Sequence, residues 1–294
     1  MPEPGGRFAG RRALVTGTAS GIGRAVAVAL AAEGADVAIA ARSIEGDAIL
    51  PGSLQETADR MAPYGGRVAM VTADLADAAA RARLVPEAEA ALGGSVEILV
   101  NNAVAAIFRP VLDFPLKRRR MLFEVNLHAP LDLCEAVAPA MVAAGEGWIV
   151  NVTSGGSRSI TGPPFEHGAL GSKEGIYGAT KAALNRATNA LAMELDTTGV
   201  RVNTIEPRAA VMTDGAAAIV GGKLRAEQLE PVEAMAAAVL ALCAGPPERT
   251  GGHHVSLDLL AELGISLSSP SAGAPAAAPT AAAPTTGSLK SQEA

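Results

Sequence analysis

The chain has 294 residues, a formal net charge of −6 at pH 7, 49% hydrophobic residues and 3% aromatic residues. This length and apolar content suit one large α/β domain or two small ones with an ample core, and the acidic balance provides no global field to attract nucleic acid. The only two cysteines, Cys134 and Cys243, lie inside apolar helical patterns, which leaves no disulfide framework or metal-ligand spacing and fits a reducing compartment.

The start, residues 1–12, is rich in Pro and Gly without the apolar stretch of a signal peptide. No apolar run reaches the ~20 residues of a membrane span, because charges interrupt every Ala-rich stretch; the expected location is cytoplasmic. Residues 12–16 form a short apolar run of strand length, followed by Gly17 and a helical stretch over 21–32 that Gly34 ends. A strand is expected over 36–41, an irregular connection over 42–51 and a helix over 54–62. A third strand (67–73), a helix (77–92) and a fourth strand (96–100) follow. Next come one long helix over about 116–144 and a fifth strand over 148–153. The basic run Lys117-Arg118-Arg119-Arg120 reads as the solvated first turns of that long helix.

The helix that contains Tyr177 should run to about 197, a sixth strand over 200–205, a helix over 232–244 and a seventh strand over 254–257. Apolar, nearly continuous strands that alternate with helices imply a doubly wound, mostly parallel α/β sheet covered on both faces. The expected organisation is one domain over residues 1–265. From Ser266 the composition shifts to Ser, Pro, Ala, Gly and Thr, which predicts a disordered tail over 266–294.

Two motifs carry chemistry. Thr16-Gly17-Thr18-Ala19-Ser20-Gly21-Ile22-Gly23 sits between the first strand and the first helix, where glycines let the backbone approach a diphosphate and helix-terminal amides meet its charge. The spacing is G-x-x-x-G-x-G, distinct from the commonest dinucleotide fingerprint. Farther along, Tyr177 and Lys181 stand four apart on a helix and share one face. A cation beside a phenol favours phenolate and moves its pKa toward the working range.

Together these motifs resemble the short-chain dehydrogenase/reductases, over about residues 10–262. The resemblance implies a Rossmann-type fold and hydride exchange between a nicotinamide cofactor and a carbonyl or alcohol. It implies a catalytic set of Asn126, Ser154, Tyr177 and Lys181, with Asn126 helping to hold a water beside Lys181. For the cofactor it implies Gly17, Ser20, Gly21, Ile22 and Gly23 at the diphosphate, Asp74 and Leu75 near the adenine, and Asn101 and Ala103 near the ribose. Tyr177, Lys181, Pro207 and Thr213 complete that set. The Asp74 carboxylate is also expected to cap the following helix. The second strand ends in Ala40-Ala41 and then Arg42, with no carboxylate for a ribose 2′-hydroxyl, so the resemblance implies NADP(H) over NAD(H).

The chain departs from the family pattern in four places, one of them Thr213, displaced by one position from the commonest register. Val104 and Arg208 stand where glycine is expected, and 23 residues separate Ser154 from Tyr177 instead of about a dozen. The excess, which includes Phe165 and His167, is expected to form an enlarged loop over the pocket. A mobile cover over 214–229, together with Val104, Ile107, Phe108 and Phe165, suggests an apolar pocket without a carboxylate or phosphate clamp, suited to a hydrophobic ketone or alcohol. The alternatives are a non-catalytic dinucleotide-binding sensor or an epimerase or dehydratase that keeps the cofactor. A homodimer or homotetramer through the helices at 116–144 and 175–197 is a further implication of the resemblance.

Overall fold

Seven strands account for the middle of the molecule; the inner ones are apolar along nearly their whole length because helices cover both faces, whereas the last two, VRVNTIE and HHV, carry polar residues. The computed structural model describes residues 6–46, 52–165, 170–211, 213 and 229–267. His167, the cover at 214–228 and the tail from 268 lie outside the described residues.

In chain order the main elements are β1 (Arg12–Thr16), α1 (Gly21–Ala32), β2 (Asp36–Ala41), α2 (Leu54–Met61), β3 (Val68–Thr72), α3 (Ala78–Leu92), β4 (Ile98–Asn101), α4 (Leu116–Phe123), α5 (Ala129–Ala144), β5 (Gly147–Val152), α6 (Gly175–Glu194) and β6 (Val200–Glu206). A two-residue pair follows, β7 (Ala210–Val211) with β8 (Leu229–Glu230), then α7 (Val232–Cys243), β9 (His253–Val255) and α8 (Ser256–Glu262). The large sheet is parallel throughout, in the order β3-β2-β1-β4-β5-β6-β9. Strand order reverses between β1 and β4, and in such sheets the crevice beyond the carboxyl ends at that reversal is where ligands bind.

Alternate residues of each strand feed two separate cores. Val15, Val37, Ile39, Ile98, Val100 and Val150 face Val26, Leu30, Met235 and Val239 of α1 and α7. Leu14, Ala38, Leu99, Ile149 and Val202 face Leu84 and Ala88 of α3 and Leu133, Val137 and Met141 of α5. Each fully buried Leu or Val contributes about 1.5–3 kcal/mol relative to exposure, so the sheet is a rigid platform for whatever its carboxyl edge carries. Cys134 and Cys243 are both buried, and burial pushes their thiols up to about 12. Cys134 Sγ also accepts from Asn101 Nδ2 at 3.5 Å.

Three details differ from the sequence reading. The 116–144 helix is not uniform: Glu124–His128 forms a π turn between α4 and α5. Taken whole, the 29-residue rod is long and apolar enough to cross a membrane by composition. One side of it nevertheless packs into the second core through Leu133, Cys134, Val137 and Met141. The expected seventh strand ends early, at Val255. Only three residues pair with β6, and the apolar spacing of Leu259, Leu260 and Leu263 then takes over as helix α8. Finally, the cap of α3 is Asp77, whose Oδ1 accepts from the Ala79 amide at 2.9 Å. Asp74 closes only the preceding turn, accepting from Ala76 N–H at 3.0 Å.

Candidate active site

The glycine turn is fixed mostly by backbone. Gly17 N–H and Thr18 N–H both donate to Ala40 O, at 2.8 and 3.2 Å, tying the end of β1 to the end of β2. Gly17 has φ +71° and Gly21 φ +58°, in the left-handed region that favours glycine. Gly23 is required by contact: a Cβ there would stand 2.3 Å from Gly17 O and 2.4 Å from Asn102 Nδ2. That Asn102 amide donates to Thr16 O (2.9 Å) and Gly17 O (3.2 Å), and the Thr16 hydroxyl accepts from the Asn102 and Ala103 amides at 3.1 Å each. The ends of β1 and β4 are thereby laced together across the strand-order reversal.

Ser20 is the N-cap of α1, yet its hydroxyl makes no capping bond, and no acidic residue stands in the first turn. The helix therefore presents its positive end and a hydroxyl to an anion. Thr213 comes to this end too: a Cβ on Gly21 would lie 2.9 Å from Thr213 Cγ2. Arg42 follows β2 directly and is exposed. Asp74 is exposed past β3, whereas Leu75 packs partly against the second core.

Asn101 ends β4 at the carboxyl edge of the sheet. It is 4% exposed, and its Nδ2 donates to Asn151 Oδ1 at 2.8 Å, while Asn151 donates in turn to the Thr188 hydroxyl at 2.9 Å. This buried chain joins β4, β5 and α6; only the Asn101 backbone remains near the crevice. Val104, where glycine was expected, is exposed, and its φ is not positive. The departure therefore carries no backbone strain. Arg208 is equally harmless: its side chain runs outward to Asp258 at 2.8 Å. Its amide donates to Glu230 Oε2 at 2.8 Å, which holds the turn after Pro207.

The chemical end is assembled from three distant segments. Ser154 follows β5, and its Oγ accepts from the Gly156 amide at 3.2 Å, closing the Gly155–Ser157 turn. Helix α6 lies directly on that turn, where a Cβ on Gly178 would be 2.1 Å from Gly156 O. This contact sets Tyr177, one residue earlier, beside Ser154. The Phe108 ring meets the Tyr177 ring edge-on, centroids 5.3 Å apart.

Burial pushes the Tyr177 phenol above its ordinary pKa; a hydrogen bond with Ser154 pulls it down, and Glu174 pushes it up. Lys181 is 2% exposed and donates from Nζ to Val152 O at 2.8 Å. Burial lowers its pKa to about 8. The ammonium is directed to β5 and is itself desolvated.

Asn126 sits in the π turn, wholly buried. Its Oδ1 accepts from Ala105 N–H at 2.8 Å, and its Nδ2 donates to Ala105 O (2.9 Å) and to the Thr180 hydroxyl (3.0 Å), which donates to Tyr177 O at 2.7 Å. The side chain braces the 105 segment and α6. Sequence reasoning missed Asn102, Thr180 and Glu174. Glu174 had a signal, since it lies three residues before Tyr177 at the start of the same helix.

The sequence profile of the family described as short chain dehydrogenase matches residues 11–221. The chain is 37% identical over 216 residues to an L-xylulose reductase of Bos taurus, covering 72% of this chain and 77% of that one. It is 38% identical over 213 residues to a D-erythrulose reductase of Gallus gallus, covering 72% and 76%. Among solved structures, a short chain dehydrogenase from Mycobacterium thermoresistibile superposes with a TM-score of 0.75 at 26% identity, covering 88% and 89%. A metagenomic short-chain oxidoreductase in complex with NADP superposes with a TM-score of 0.66 at 29% identity, covering 83% and 96%. The glycine turn, the uncapped Ser20 hydroxyl and the crevice at the strand-order reversal fit a nicotinamide dinucleotide. The chain belongs to the short chain dehydrogenase family and is an oxidoreductase acting on CH–OH groups.

Proposed function

We propose that the protein transfers hydride between NADP(H) and a small secondary alcohol or ketone. The observation that carries this reading is the convergence of Ser154 and Tyr177, with Lys181 one turn further along α6, on the carboxyl edge that also bears the Gly17–Gly23 turn. The nicotinamide, when bound, supplies or takes up the hydride. Tyr177 Oη gives a proton to the carbonyl oxygen in reduction and takes one from the alcohol in oxidation. The Ser154 Oγ lone pair is held by the Gly156 amide, which leaves its O–H to fix the reacting oxygen. Lys181 would hold the ribose hydroxyls, with Gly17, Ser20, Gly21, Ile22, Gly23 and Thr213 at the diphosphate.

NADP(H) over NAD(H) is supported by Arg42 directly after β2, by the absence of a carboxylate at that strand end, and by NADP in a similar structure. The names of the relatives support a polyhydroxylated ketone as substrate. A second reading, an apolar ketone, is favoured by the Phe108 ring against Tyr177 and by exposed Val104 and Phe165. We take the enzyme to work in the cytoplasm as a homodimer or homotetramer; Met193, 70% exposed on α6, supports the helix-paired assembly.

Initial rates with NADPH and NADH across hydroxylated and plain ketones test the reading. It requires cofactor consumption, at least 10-fold faster in kcat/KM with NADPH, a preference that Arg42→Ala diminishes. Binding of the cofactor without its consumption would leave a sensor; product without net consumption would leave an epimerase.

A further inference from the structure

Glu174 reaches the Tyr177 pocket without a task in the chemistry above. It immediately precedes α6, three residues before Tyr177, a spacing that stacks side chains on one face. A Cβ built on Gly156 would lie 3.3 Å from Glu174 Oε1 and 3.5 Å from Ser154 Oγ. Carboxylate and hydroxyl therefore flank one point at the Gly155–Ser157 turn.

Among the described residues, other shielded carboxylates are engaged through at least one oxygen, although Glu206 Oε2 and Glu230 Oε1 accept no hydrogen bond. Glu206 meets Arg158 and His253, Glu97 meets Arg11 and Arg12, and Glu230 takes the Arg208 amide. Glu174 is half-buried, and burial raises its pKa, yet among the described residues no hydrogen bond or ion pair engages its carboxylate. Glu174 Oε1 stands beside the Gly156 turn and close enough to Tyr177 to act on its phenol, where a half-buried carboxylate is open to a ligand donor.

We infer that Glu174 is a specificity-determining residue: its carboxylate accepts a hydrogen bond from a hydroxyl adjacent to the reacting carbonyl, so the site favours hydroxylated ketones over their deoxy counterparts. This rests on the oxidoreductase reading of the same site. Ser154 and Tyr177 fix the carbonyl oxygen, and Glu174 stands on the Ser154 side of it, where a donor one carbon away reaches.

The test uses a four-carbon pair, D-erythrulose and 2-butanone, with NADPH and the full-length protein. Wild type should prefer D-erythrulose in kcat/KM. Glu174→Ala should reduce that preference about 10- to 100-fold, mostly through KM, the loss expected for one hydrogen bond to a charged acceptor. Glu174→Gln should reduce it less, since the amide oxygen still accepts. NADPH fluorescence titration of each variant verifies that the fold and cofactor site persist. A preference unchanged in Glu174→Ala, or an equal loss for both ketones, overturns the inference while leaving the oxidoreductase reading intact. Wild type that consumes NADPH with neither ketone overturns the hydroxylated-substrate reading and the inference with it.

Discussion

The glycine turn and the Tyr177 pocket share one edge of the sheet but are built by opposite means. Gly17, Gly21 and Gly23 lie within seven residues, and backbone contacts fix them: two amides on Ala40 O, two positive φ values and a Cβ-free approach to Gly17 O. The pocket instead collects side chains from β4 onward. Asn126 comes from a π turn, Ser154 from a strand end, and Glu174, Tyr177 and Lys181 from one helix. A backbone-built site fails when a Cβ is added, whereas a side-chain-built site fails when one functional group is removed. Substitutions at the two ends should therefore separate binding from chemistry.

The largest expected effect lies at the pocket. Tyr177→Phe removes only the hydroxyl and should lower kcat by about 10²- to 10⁴-fold, the range of general acid–base contributions; initial rates with NADPH and any ketone turned over by wild type measure it.

Next is Asn126→Ala, which leaves the Ala105 amide and carbonyl without their partner inside the protein. Each orphaned buried group costs about 1–3 kcal/mol, so denaturant unfolding should show a loss of that order or more. Activity should fall too, because Thr180 and the 105 segment lose their brace.

Lys181 separates stability from function. Its pKa is lowered to about 8 from 10.5, so between those values the unfolded chain holds more protons, and folding stability falls as pH drops through that window. Below pH 8 the penalty is constant at about 3 kcal/mol. Lys181→Met removes this penalty but strands the Val152 carbonyl. Relative to wild type it should gain stability as pH falls from 10.5 to 8 while losing turnover. Urea unfolding at pH 7 and pH 10 checks the sign; parallel pH dependences would refute it.

The smallest effect is expected for Arg208→Ala. The Arg208–Asp258 pair is exposed at both side chains, 60% and 59%, and such pairs contribute about 0–1 kcal/mol. Thermal unfolding and kcat/KM should hardly change.

The same contrast explains what the sequence made legible. The sheet, its winding and the glycine turn are local patterns: apolar runs, helical spacing and G-x-x-x-G-x-G. Tyr177, Lys181 and Ser154 were found because motif and strand-end position name them. The Asn101–Asn151–Thr188 chain and the Asn102 prop were not, since each joins residues at least 37 positions apart and no spacing announces it. Nor was the π turn, because its extra residue leaves the apolar pattern of 116–144 intact. Asn126 shows the same limit: a polar residue inside a helix signalled a function, but only the fold shows that its amide braces Ala105 and Thr180.

That one end binds and the other reacts can be read from NADPH fluorescence titration of Tyr177→Phe beside Gly23→Ala. The added methyl at Gly23 would press on Gly17 O at 2.3 Å, and overpacking of this kind costs about 1–3 kcal/mol. The dissociation constant of Tyr177→Phe should stay within about 3-fold of wild type if this division holds, and that of Gly23→Ala should weaken at least about 10-fold. Equal weakening in the two variants, or tight binding by Gly23→Ala, would contradict it.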